Sequence, residues 1–229
     1  MMKVFRRSCT CGALLSIAMF AAVASAQDAE PAGPIMRQVQ HMNLAVSGTG
    51  QFTKTTTGNN YLPQLVTQVP SNTLGALVTI QYIHSPLIGF EFNYGYARYT
   101  ENFTAAPTTG TPNGTTSFVL GVQTKAAEYT IGYTAHARNT YFGLRPFAGA
   151  GAGSIAFTPT KGGGQGFLEQ ARAVYYYGVG VEAPLYGHFS ARAQFRQLFF
   201  LAPDYQTNYI RTLQRTTTSE PTFGFFVHF

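Results

Sequence analysis

The chain has 229 residues, with 15 Lys and Arg against nine Asp and Glu, 45% hydrophobic residues and two cysteines. Such a length suits a single domain behind a leader. Both cysteines, Cys9 and Cys11, lie near the N-terminus, so disulfide and cysteine-ligand chemistry are excluded for the rest of the chain. Beyond the N-terminus the basic residues are scattered singly, which argues against nucleic acid as a partner.

Lys3, Arg6 and Arg7 precede an apolar run over residues 12–23, and Ala24, Ser25 and Ala26 form a small-residue cleavage site before Gln27. This layout predicts a secretory signal peptide over residues 1–26, since the apolar run is short for a membrane helix and polar chain follows it. Neither cysteine is preceded by lipobox-like spacing, so no lipoprotein is expected. Removal of the leader takes three basic residues and no acidic one, and the formal charge falls from +6 to +3. Residues 27–38, rich in Pro and charge, read as a flexible periplasmic lead. No later stretch approaches the roughly 18 apolar residues of a spanning helix. A membrane crossing would therefore have to be made by strands, because only helices and closed barrels satisfy their backbone in lipid.

From Val39 the pattern has period two, the signature of strands with unlike faces. Met42, Leu44, Val46 and Phe52 share one face of the first, opposite His41, Asn43, Ser47, Thr49 and Gln51. The second places Leu74, Ala76, Val78, Ile80 and Tyr82 together, with Leu77 a misfit. After a turn at His84, Ser85 and Pro86, the third alternates Ile88, Phe90, Phe92, Tyr94 and Tyr96 with Gly89, Glu91, Asn93, Gly95 and Ala97, a register that sets Gln81 opposite Glu91. The fourth runs over residues 125–137 with an extension at 118–122, and the fifth, over 146–157, is too rich in Gly and Ala for its faces to be assigned. In the sixth, Tyr175, Tyr177, Val179 and Val181 alternate with Arg172, Tyr176 and Glu182; in the seventh, Phe189, Ala191, Ala193, Phe195 and Phe199 alternate with Ser190, Arg192, Gln194 and Arg196. The chain closes on an eighth, where Phe223, Phe225, Val227 and Phe229 form an apolar comb with Phe226 the exception on the other face.

The links after the odd-numbered strands, 53–72, 102–116, 158–170 and 200–215, are long and filled with Thr, Gly, Asn, Pro and Gln, whereas the even-numbered strands are followed by tight turns. An even strand number with long loops at one rim and short turns at the other predicts an all-β, eight-stranded antiparallel up-and-down transmembrane barrel over residues 39–229, its short turns periplasmic and its long loops extracellular.

Glu91, Glu128, Glu182, Arg172, Arg192 and Arg196 fall opposite the apolar faces, with Glu182 placed diagonally across from Arg192. They predict a paired lumen network, and an interior about wide enough for its own side chains would be plugged by it. His136, on the inner face near Glu128, is the one candidate base, read as a satisfied interior histidine. The chain has no HExxH, P-loop or His-x-Ser-Asn pattern, and Gly149, Gly151 and Gly153 lie in a strand rather than between strand and helix. No enzyme activity, catalytic residue, metal site or cofactor is predicted.

Three stretches give the chain a family resemblance: the terminal comb, the segment from Arg145 to Gly151, and Arg192, Ala193, Gln194, Phe195 and Arg196. It resembles the OmpA/OmpX-like outer-membrane β-barrel superfamily over nearly the whole chain after the leader. The resemblance implies that Phe229, with Val227, Phe225 and Phe223, serves as the recognition signal for the barrel-assembly machinery. Two departures stand out. The chain has no Trp, so its 14 Tyr and 19 Phe would form the interfacial belts, and no second, peptidoglycan-binding domain is expected.

The expectation is an integral protein of a Gram-negative-type outer membrane, with lipids around it and a structural or surface-interaction role through loops that meet extracellular ligands. A narrow porin-like channel for small solutes or ions is the alternative, and a lipid-modifying enzyme a third. A soluble β-sandwich or lipocalin-like protein is the alternative fold.

Overall fold

The computed structural model describes residues 38–85, 87–107, 117–164 and 166–229; the predicted signal peptide and all but the last residue of the lead lie outside them. The described chain belongs to one unit, Gln38–Phe229. Its strands are β1 (Met42–Thr53), β2 (Thr56–Asn59), β3 (Leu65–Pro70), β4 (Thr73–Ser85), β5 (Ile88–Ala105), β6 (Phe118–His136), β7 (Arg145–Pro159), β8 (Gln170–Tyr186), β9 (Phe189–Leu201) and β10 (Arg215–His228). Eight of them, β1 and β4 to β10, pair antiparallel with their neighbours in the chain, and β1 pairs with β10 to close the ring. The eight predicted strands are these eight, in order. The first begins at Met42 instead of Val39, because residues 38–40 form a helical turn closed by His41 N–H donating to Gln38 O at 3.1 Å.

Alternation decides which way every side chain points. On β5, Glu91, Asn93, Gly95 and Ala97 are buried inside while Phe90, Phe92 and Tyr96 face out. The terminal comb faces out too, with Phe223 60% exposed, whereas Phe226 is fully buried inside. Leu77, the misfit of its strand, also points inward and is buried. The faces of β7 are settled by its neighbours: Phe147, Ile155 and Phe157 are buried inside, and Ala148 and Ala150 are on the outward face. An outward wall of Val, Ile, Phe and Tyr around a polar interior is stable only in lipid, which makes this a membrane-spanning barrel.

The linker between β1 and β4 is more than a loop. Thr56–Asn59 and Leu65–Pro70 form a hairpin whose second strand lies beside the upper end of β5, from Val66↔Ala105 to Pro70↔Glu101, where β4 has already ended. At the opposite rim, register shifts between Ile83 and Ser85 and between Pro184 and Tyr186 bend the wall into its tight turns. The β1/β10 ladder has one interruption: pairing passes from Thr49↔Thr222 to Phe52↔Ser219, skipping Pro221, which has no N–H to donate. Below it, the seam ends in a polar clasp in which His228 bridges Asn43 and Ser190, each at 2.9 Å.

Candidate functional site in the lumen

Five strands, β5, β6, β8, β9 and β10, aim charged side chains into the lower, periplasmic half of the lumen. Arg192 of β9 reaches Glu91 of β5 (Nη2 to Oε2, 3.5 Å) and Glu182 of β8 (Nη1 to Oε1, 3.7 Å). Its Nε donates to Gln194 Oε1 at 3.0 Å, and its guanidinium lies 4.0 Å from the centre of the Phe147 ring and 5.0 Å from that of Phe226. Glu91 Oε1 accepts from Tyr176 Oη at 2.7 Å and from Asn93 Nδ2 at 3.2 Å. One step higher, Arg196 bonds Glu128 across the lumen and approaches Glu220 at 3.3 Å, with Tyr176 below its guanidinium. Glu128 also accepts from the Thr130 hydroxyl at 2.9 Å, and Glu220 from Gln51 Nε2 at 3.1 Å.

The ladder explains how so much charge fits. Glu91 stands opposite Gly132, Glu128 opposite Gly95, Arg192 opposite Gly224 and Arg196 opposite Gly178. A methyl group on Gly95 would come within 2.9 Å of the Glu128 carboxylate, and one on Gly178 within 3.1 Å of the Arg196 side chain, so these two glycines hold the space that the facing charges occupy.

Of the six residues expected in the lumen network, five come together here and Arg172 does not. Arg172 lies at the outer mouth, paired with Asp204 at 3.1 Å. Two other expectations need correction. Glu182 is directly opposite Arg192, not diagonal to it. His136 meets Glu182 at 3.4 Å rather than Glu128, and packs against Phe147 with its side chain only 1% exposed. Sequence reasoning left Glu220, Asn93 and Tyr176 out of the network. Glu220 was legible as the inward residue directly opposite Arg196.

The upper half of the lumen has a different chemistry. Phe103, Val122, Phe157, Val174, Leu198 and Phe200 pack there as an apolar core. The segment between β9 and β10 folds down onto it: Tyr205 and Ile210 are fully buried, with Tyr205 edge-on to Phe103 and Phe167. Gln170 pins this cap, its Oε1 accepting from the N–H groups of Asp204 (3.0 Å) and Tyr205 (3.2 Å) while its Nε2 donates to Asp204 Oδ1 at 2.7 Å. Burial, and then the Glu101 carboxylate, push the Tyr205 phenol well above its ordinary pKa. Between the two halves a cavity of about 20 Å³, bordered by Glu128, Glu220, Tyr99 and Leu198, has room for about one water. A shallow, mostly apolar depression of about 620 Å³ lies outside on the wall, around Gly48, Gly50, Pro221 and Phe223.

No family model matches the chain, and no curated protein sequence matches it. Solved structures do. The outer membrane protein OprG from Pseudomonas aeruginosa aligns with 82% of this chain and 96% of its own at 12% identity, with a TM-score of 0.55. Neisserial surface protein A aligns over 81% of this chain and 97% of its own at 16% identity and a TM-score of 0.48. Ail, the attachment invasion locus protein of Yersinia pestis, aligns over 82% and 99% at 13% identity and a TM-score of 0.44. At such identities the likeness is one of fold.

Proposed function

We propose that this chain, whose fold is that of the OmpA/OmpX-like barrels of the outer membrane, is a structural and surface-interaction barrel with a closed lumen. The observation that carries the reading is the filling of the interior. Ion pairs occupy its lower half, an apolar core and an inward-folded cap occupy its upper half, and the cavity between them measures only about 20 Å³. With the lumen closed in this reading, the exposed outer rim is where the protein meets the outside. There the β2–β3 hairpin and the cap give two ordered surfaces for extracellular ligands.

A catalytic role finds no support in this arrangement. His136, the one candidate base, is buried against Glu182 and Phe147 and out of reach of an outside substrate. A narrow pore is the second reading, favoured by one observation: Glu91, Glu128, Glu182, Glu220, Arg192 and Arg196 face inward and would line with charge any path that opened. Planar-bilayer recordings of the purified barrel test the choice. The closed lumen predicts no steady conductance, and regular ion-selective openings would overturn it.

A further inference from the structure

The outward face of β5 and β6 changes character in a single step. Ascending from the periplasmic turn, its residues are Ile88, Phe90, Phe92, Tyr94 and Tyr96 on one strand and Tyr133, Ile131, Tyr129 and Ala127 on the other. The next outward residue on each is a cation, Arg98 and Lys125, and these two are direct cross-strand partners. Both are exposed. Side chains so placed start about 5 Å apart, and like charges in this position repel. Among the described residues, neither takes part in an ion pair. Arg98 donates instead to the neutral Gln123 Oε1 at 2.7 Å, and that oxygen also accepts from Thr160 Oγ1 at 2.9 Å. The guanidinium is thereby oriented without being neutralised. The described carboxylates are elsewhere: five face the lumen, and Glu169 and Asp204 belong to the outer loops.

We propose that Arg98 and Lys125 form a binding site for the phosphate of an anionic lipid of the outer leaflet. An anion between the two cations turns their repulsion into attraction, and a guanidinium suits a phosphate through paired N–H donors. Their height selects a lipid over a soluble polyanion. Ile88 to Arg98 covers about the number of residues a tilted strand needs to cross the hydrocarbon, so the pair stands at headgroup level. Directly beneath lies the wall of Tyr96, Tyr129, Phe92 and Ile131, which gives acyl chains a surface that a free anion cannot use.

The test titrates the folded protein in detergent micelles with purified bisphosphorylated lipid A, counting bound lipid by native mass spectrometry. The wild-type barrel should bind it. The R98Q/K125Q double variant should bind about thirtyfold more weakly, as expected for two cations at a membrane surface. Arg98→Lys should keep most of the affinity, and Arg138→Gln, in a periplasmic turn, should keep all of it. Lipid A stripped of its phosphates should bind the wild type no better than it binds the double variant. The proposal fails if the double variant binds like wild type, if phosphate removal has no effect, if Arg138→Gln loses as much, or if inositol hexakisphosphate displaces the lipid. Heat-dependent gel migration selects folded protein, and if the double variant does not fold, the single variants R98Q and K125Q carry the same test at about a fivefold loss each.

Discussion

The two halves of the lumen fill the same cylinder by opposite means. Below, Arg192 and Arg196 hold glutamates from four other strands, and above, Phe157, Leu198 and Phe200 pack with Tyr205 like the core of a soluble protein. A charged interior specifies its partners one by one, so its members depend on each other. An apolar one depends on volume. The lower half therefore fixes which strands stand together, and the upper half takes up a loop that is not part of the wall.

Substitutions in the two halves should fail differently. Arg196→Ala strands Glu128 and Glu220, and about 3–5 kcal/mol of stability should be lost in urea titrations of the barrel in lipid vesicles. Replacing the three together with Met, Gln and Gln should restore most of that loss; if the triple variant is no better than the single one, the lower half is not held by mutual pairing. Leu198→Ala, above, should cost about 3 kcal/mol through the cavity it leaves, whatever its neighbours are. Gln170→Ala removes three hydrogen bonds from the cap, for about 1–2 kcal/mol. Protease cleavage between residues 202 and 214 should speed up while the wall resists as before.

The smallest effect concerns pH. With its pKa raised in the closed cap above the unpacked value of about 10, Tyr205 keeps its proton when closed and loses it when open. Closure therefore has its full advantage below about pH 10 and loses it as pH rises from there. Cleavage in the cap should accelerate over that range in wild type, and Tyr205→Phe should abolish the dependence.

The wall was legible because lipid imposes a strict alternation, readable from Ile88 to Tyr96 or from Phe223 to Phe229 without any knowledge of the partner strands. The lower lumen was legible in part, since inward parity marks Glu91 or Arg192 as interior. Parity does not say which carboxylate an arginine reaches across the barrel, and so His136 was set beside Glu128 while it meets Glu182. Glycines stand directly opposite Glu91, Glu128, Arg192 and Arg196, but a facing glycine marks room for a long side chain and not the partner it reaches. The upper core was hidden by runs such as Phe199, Phe200 and Leu201, where both faces are apolar and period two disappears. The cap was hidden more deeply, because residues 202–214 have the polar composition of a free loop and become interior only once eight strands have made a mouth to fold into.

The seam between β1 and β10 carries a consequence for how the protein is made. Its clasp, Asn43 to His228, joins residues 185 apart in sequence, so the first strand waits for nearly the whole chain before it has its second neighbour. Until then both strands present bare edges that lipid cannot satisfy. A chain cut short before Arg215 has no smaller barrel to fall back on. Assembly should therefore be all-or-none and paced by closure, with the interrupted ladder at Pro221 the stretch of that seam where amide protons exchange first.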